Sequence, residues 1–133
     1  MFRFILVLST VFLISAHGYA SDCSQVRIEP SNSAIWKDIK KSISKRTQSN
    51  SVALRQVLGK DGWYVVEYES NDYEPVIDIV KKTVKGYSIK AGWGGRPEEG
   101  DSITEYLTEK ASGVPPILMQ CFSPKGEPFV NSK

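Results

Sequence analysis

Two runs of strand-forming residues flank Gly59-Lys60-Asp61-Gly62, and this arrangement constrains the fold more than any other feature of the chain. Val52, Leu54, Val57 and Leu58 precede the tetrad. After it, Trp63 to Glu69 alternates, with Trp63, Val65 and Glu67 on one face and Tyr64, Val66 and Tyr68 on the other. A strand repeats every second residue, and a short segment with two glycines and an aspartate is a strong turn signal. The segment predicts an antiparallel hairpin of 52–58 with 63–69.

Upstream, Ser31-Asn32-Ser33 offers N-caps, followed by Ile35, Trp36, Ile39 and Ile43 at helical spacing with lysines between them. A helix over 33–46 follows, with Trp36 and the isoleucines toward the core. Residues 75–93 carry two readings. Val76, Ile79, Val80 and Val84 fit a helix, and Pro75 is acceptable in a first turn. The β-branched content and the Lys85-Gly86 turn favour a second hairpin, 76–82 with 87–93. Gly92 to Gly100 holds four glycines besides Pro97 and reads as a loop. Asp101 to Ala111 predicts a short helix: Ser102 and Glu105 form a capping box, Ile103, Tyr106 and Leu107 the buried stripe, and Gly113 the stop. Val114-Pro115-Pro116 is expected to be extended, and 117–122 to return toward the N-terminus. The fold class is therefore α+β: an N-terminal helix on an antiparallel sheet of about four strands, with a short C-terminal helix.

The first residues have the organisation of an export signal. Arg3 supplies the positive start, Phe4 to Ile14 is apolar at nine of eleven positions, and Gly18-Tyr19-Ala20 places small residues where a signal peptidase needs them. Eleven helical residues rise only about 16 Å, against the roughly 30 Å of a bilayer core, so a cleaved signal fits better than an anchor. Asp22 before Cys23 does not suit a lipidation site. Cleavage is expected between Ala20 and Ser21. It leaves 113 of the 133 residues, read as one domain over 21–122 and a flexible tail over 123–133. The expected destination is the periplasm or the medium. There, Cys23 and Cys121, nearly at the two ends, are expected to form a disulfide tying the termini. A redox-active pair needs close spacing such as C-x-x-C.

Cleavage also removes the single histidine, His17. Ser-His-Asp and Cys-His catalysis, His-ligated zinc and the two-histidine iron site are then closed to the mature chain. With Arg3 gone, 16 Lys and Arg face 15 Asp and Glu, a balance that argues for neither nucleic acid nor an anionic membrane. No phosphate-binding loop spacing is present and no cofactor is implied. Charge is nonetheless segregated along the chain. Residues 37–60 hold seven bases and one acid, 61–78 six acids, 79–96 five bases, and 97–110 five acids and one base. Pairing between neighbouring elements accounts for such blocks, and a polar binding face is the alternative.

Three features are candidates for function. The glycine-framed loop with Trp93, Arg96, Glu98, Glu99 and Asp101 has the Trp-beside-Arg character of a protein-interaction hot spot. Its alternative is that Trp93 ends a strand with its ring in the core. The acids Glu67, Glu69, Asp72, Glu74 and Asp78 read as a solvated acidic face rather than a glycosidase pair or a calcium site. The aromatics Trp36, Trp63, Trp93, Tyr64, Tyr68, Tyr73, Tyr87 and Tyr106 are expected to serve the core before a pocket.

Trp93-Gly94-Gly95, the short helix, and Gly113-Val114-Pro115-Pro116-Ile117-Leu118-Met119-Gln120-Cys121-Phe122 resemble the C-terminal half of small exported bacterial proteins of unknown function. That resemblance implies no activity. The layout of signal, helix, antiparallel strands and one disulfide is similar to that of the colicin M immunity proteins, and this likeness of layout transfers no functional residue. The sequence points to an exported binding protein without catalysis, such as a periplasmic inhibitor or immunity protein whose partner is another protein. An accessory envelope protein is the alternative, and an enzyme working through carboxylates alone is a third reading.

Overall fold

The computed structural model describes residues 22–71 and 73–124. The expected export signal and all but the first two residues of the expected tail lie outside the described residues. The chain forms β1 (Arg27–Ile28), α1 (Ala34–Thr47), β2 (Ala53–Lys60), β3 (Trp63–Ser70), β4 (Tyr73–Thr83), β5 (Gly86–Gly94), α2 (Ile103–Lys110) and α3 (Pro116–Cys121). The five strands make one antiparallel meander in the order β1-β2-β3-β4-β5.

The first hairpin is longer than its sequence suggests. Gly59 and Lys60 belong to β2, opposite Tyr64 and Trp63, so only Asp61 and Gly62 turn the chain. Their φ angles, 51° and 79°, are both positive, as the tightest hairpin turn requires. Gly59 is also needed for space: a Cβ there would stand 2.7 Å from the Tyr64 ring. The second expected hairpin is present as β4 and β5, and the helical reading of 75–84 is set aside. Val84, at its tip, is fully exposed.

Alternation along β3 sends side chains into two separate cores. Trp63 and Val65 join Val26, Leu58, Ile77, Ile79, Leu107, Leu118 and Met119 beneath α2 and α3. Tyr64, Val66 and Tyr68 join Val57, Val80, Ile39 and Ile43 beneath α1. The sheet is thus the middle layer of three. Each fully buried aliphatic side chain contributes roughly 1.5–3 kcal/mol relative to exposure. Helix α1 starts where expected, with the Ser33 hydroxyl accepting from the Trp36 N–H at 3.1 Å. It stops at Gln48, in the left-handed region at φ 54°.

The structure corrects the expected architecture in three details. The sheet has five strands, because Arg27 and Ile28 pair with Gly59 and Leu58. Residues 116–121 form a short helix opened by Pro115-Pro116, whose fixed φ suits a first turn, so the extended stretch ends sooner than predicted. On α2, Ser102 caps the Glu105 N–H at 3.2 Å and Leu107 is buried. Tyr106, expected in the buried stripe, is 39% exposed because it lies on the helix flank over Trp93. Cys23 and Cys121 are joined by the expected disulfide.

Candidate functional site

Asp78 occupies the middle of Val76-Ile77-Asp78-Ile79-Val80, an otherwise apolar run of β4. Register places it between Val66 of β3 and Gly92 of β5, on the α1 face. Only 1% of its surface is exposed. Arg46, in the last turn of α1, brings Nη1 to 3.4 Å from Asp78 Oδ2, and the Tyr68 hydroxyl donates to the same carboxylate. Burial disfavours the charge more than Arg46 and Tyr68 favour it, so the carboxyl is pushed up to about 6. Gly92 provides the room: a Cβ there would stand 2.4 Å from Asp78 Oδ1.

These groups line a cleft of about 300 Å³ between the C-terminal end of α1 and the end of β5, with Trp93 and Gly94 completing its wall. Because β5 is the last strand, the cleft lies at the sheet edge. It combines a buried acid, a half-exposed guanidinium and an aromatic ring, a mixture suited to one polar side chain of a partner. With its carboxyl pushed up to about 6, Asp78 is mostly ionised at neutral pH and accepts hydrogen bonds, and it gains a donor as the pH falls toward 6.

Trp93 is half-buried. Its ring meets Tyr106 edge to face at 5.1 Å and 80°, and Nε1 donates to the Gly95 carbonyl at 3.2 Å. It packs on the α2-side core and also borders the cleft. Arg96 and Glu99 are exposed and do not line the cleft. Glu98 and Asp101 secure the loop instead: the Glu98 N–H donates to Asp101 Oδ2 at 2.9 Å, and the Asp101 N–H to the Glu98 carbonyl at 3.1 Å.

Glu67 and Asp78 do not lie on the solvated acidic face that the sequence suggests. Glu67 and Asp78 are buried on opposite sides of the sheet, and Glu69 pairs with Arg55 across β2 and β3. Glu67 Oε1 accepts from Gln56 Nε2 at 2.9 Å, and the same nitrogen donates to the Ser123 carbonyl at 2.6 Å. Asp72 lies outside the described residues. Among the described residues no cluster of three Cys, Asp or Glu is arranged to hold a metal.

Charge segregation is resolved unevenly. Arg46–Asp78, Arg55–Glu69 and Lys60–Asp61 join the basic block of 37–60 to the acidic block that follows. Among the described residues, Lys82, Lys85, Lys90 and Arg96 form no ion pair, and Lys37, Lys40, Lys41 and Lys45 line the exposed side of α1. The sequence reading missed Arg46, Tyr68 and Gly92 as partners of Asp78. The available signal was the lone acid within an apolar strand. Protein-family models, curated proteins and solved structures were each compared with the chain, and none matches it.

Proposed function

We propose that the chain is an exported binding protein without catalytic activity, a periplasmic inhibitor or immunity protein that blocks a toxin or a cell-wall hydrolase. The observation that carries this reading is the convergence of Asp78, Arg46 and Trp93 on one sheet-edge cleft. Two features support a binding role over carboxylate catalysis. Of the three buried acids among the described residues, Glu67 and Asp78 face opposite sides of the sheet and Glu29 does not line the Asp78 cleft, so no two of them flank a common reacting bond. Lys37, Lys40, Lys41 and Lys45 are exposed along α1, the helix whose C-terminal end borders the cleft, which favours a partner with an acidic face. The disulfide between the ends suits a small domain in an oxidising compartment.

The test is paired affinity capture from a periplasmic extract, with wild type and the Arg46→Gln variant, each checked to be folded, as baits. A protein retained by wild type and lost by the variant is the expected result. Identical captures on both baits, or none above background in repeated trials, overturns the proposal.

A further inference from the structure

A second cleft, of about 250 Å³, lies on the α1 side of the sheet between the β1–β2 edge and the first turn of α1. Strand alternation creates it. Ile28 points outward and is 72% exposed, whereas the next residue, Glu29, points inward with 1% of its side chain exposed. The Glu29 N–H donates to the Val57 carbonyl at 2.9 Å, which fixes the backbone at this position. A carboxylate buried so far is expected to have partners on both oxygens. Oε1 has one, Nε of Arg27 at 2.9 Å. Oε2 has none.

The other charges around the cleft leave that oxygen unanswered. Lys60 turns to Asp61, with Nζ 3.6 Å from Oδ2. Ile35 supplies an apolar wall and the Tyr64 ring an aromatic one, the ring held close over Gly59. Burial and the neighbouring Glu29 charge push the Tyr64 phenol up, so its hydroxyl stays neutral beside the carboxylate.

We propose that this cleft is a binding site for one alkylammonium or guanidinium group, presented by a free amine or by a lysine or arginine side chain of another molecule. An N–H of the incoming cation donates to Glu29 Oε2, while the Arg27 bond to Oε1 stays in place. The Tyr64 ring attracts the cation electrostatically, and Ile35 covers the alkyl stem. The volume admits one side-chain-sized group. The site is separate from the Asp78 cleft and shares no lining residue with it.

The experiment is an NMR titration of the folded, disulfide-bonded protein with n-butylammonium chloride and ethylguanidinium chloride, using sodium chloride at matched ionic strength as reference. Saturable shifts of the Glu29, Gly59, Gly62 and Tyr64 amides, with a saturable shift of the Glu29 side-chain carboxyl carbon, are the expected result. Glu29→Gln should weaken binding at least about tenfold, whereas Glu69→Gln should leave it unchanged. A further arm compares acetyl-Gly-Lys-Gly-amide with n-butylammonium: tighter binding of the peptide points to a macromolecular source, and equal or weaker binding to a free amine. Shifts in wild type that merely follow sodium chloride overturn the proposal, and this reading does not depend on whether Glu29→Gln folds. Equal binding by a folded Glu29→Gln variant overturns it too.

Discussion

Replacing Asp78 by asparagine should make the protein more stable at neutral pH, and the size of the gain follows from the site. The carboxyl titrates at about 6 in the folded chain against 3.8 for an unperturbed aspartate. At about 1.36 kcal/mol per pH unit, its ionisation costs the fold on the order of 3 kcal/mol. The sign follows from proton counts. Below about pH 4 both states hold the proton and there is no cost. As pH rises, the unfolded chain ionises first, so the folded state loses stability until about pH 6 and no further. Asparagine keeps the shape of the protonated form and never ionises. Urea unfolding of wild type and Asp78→Asn across pH 4 to 8, with the disulfide intact, isolates this one group in the difference between the curves. The variants should be nearly equal at pH 4, and Asp78→Asn should be ahead by on the order of 3 kcal/mol at pH 8. A flat difference, or a variant less stable at pH 8, would mean that the ion pair with Arg46 outweighs burial and would refute the reasoning. Gly92→Ala serves as a geometric control. Its Cβ would stand 2.4 Å from Asp78 Oδ1, so it should lose about 1–3 kcal/mol of stability at every pH.

Three further outcomes are expected. Trp93→Ala should lower stability by about 2 kcal/mol in denaturant unfolding, less than a fully buried Trp because the ring is half-buried, whereas the exposed Arg96→Ala should be silent in the same assay. Mass spectrometry of the exported protein should begin at Ser21 and show Cys23 linked to Cys121; reducing that bond, which closes a loop of 98 positions, should cost about 4–5 kcal/mol. Gln56→Ala withdraws the donor shared by Glu67 and the Ser123 carbonyl, and should cost about 1–3 kcal/mol by urea unfolding.

What the sequence disclosed depended on the length and regularity of each element. The β2–β3 hairpin was legible because eight-residue strands carry enough alternation to be read, and Asp61-Gly62 marks the turn. Helices α1 and α2 were legible through their caps, Ser33 and Ser102. Two residues of β1 and six of α3 are too short to establish a period. Pro115-Pro116 misled as well, since a proline pair suits an extended chain and a helix start equally. The three-layer arrangement was written more faintly, in the apolar character of both faces of β3. The site was the least legible part. Asp78 and Arg46 are 32 positions apart and meet only because α1 packs across the sheet face on which Asp78 lies.

The two buried acids of the central strands show why burial alone does not mark a functional residue. Glu67 accepts from Gln56, and Gln56 reaches on to Ser123, two residues beyond Cys121. That carboxylate therefore anchors the chain just past the disulfide, and its removal should unfasten a tie. Asp78 also has partners, Arg46 and Tyr68, but they do not offset its burial, and its carboxyl faces a cleft that Gly92 keeps open. One acid sits where the fold favours it, and the other where the fold bears a cost for its charge. Local conflict of that kind concentrates at functional sites. The opposite signs expected for Gln56→Ala and Asp78→Asn thus separate a carboxylate that the fold needs from one whose charge the fold could do without.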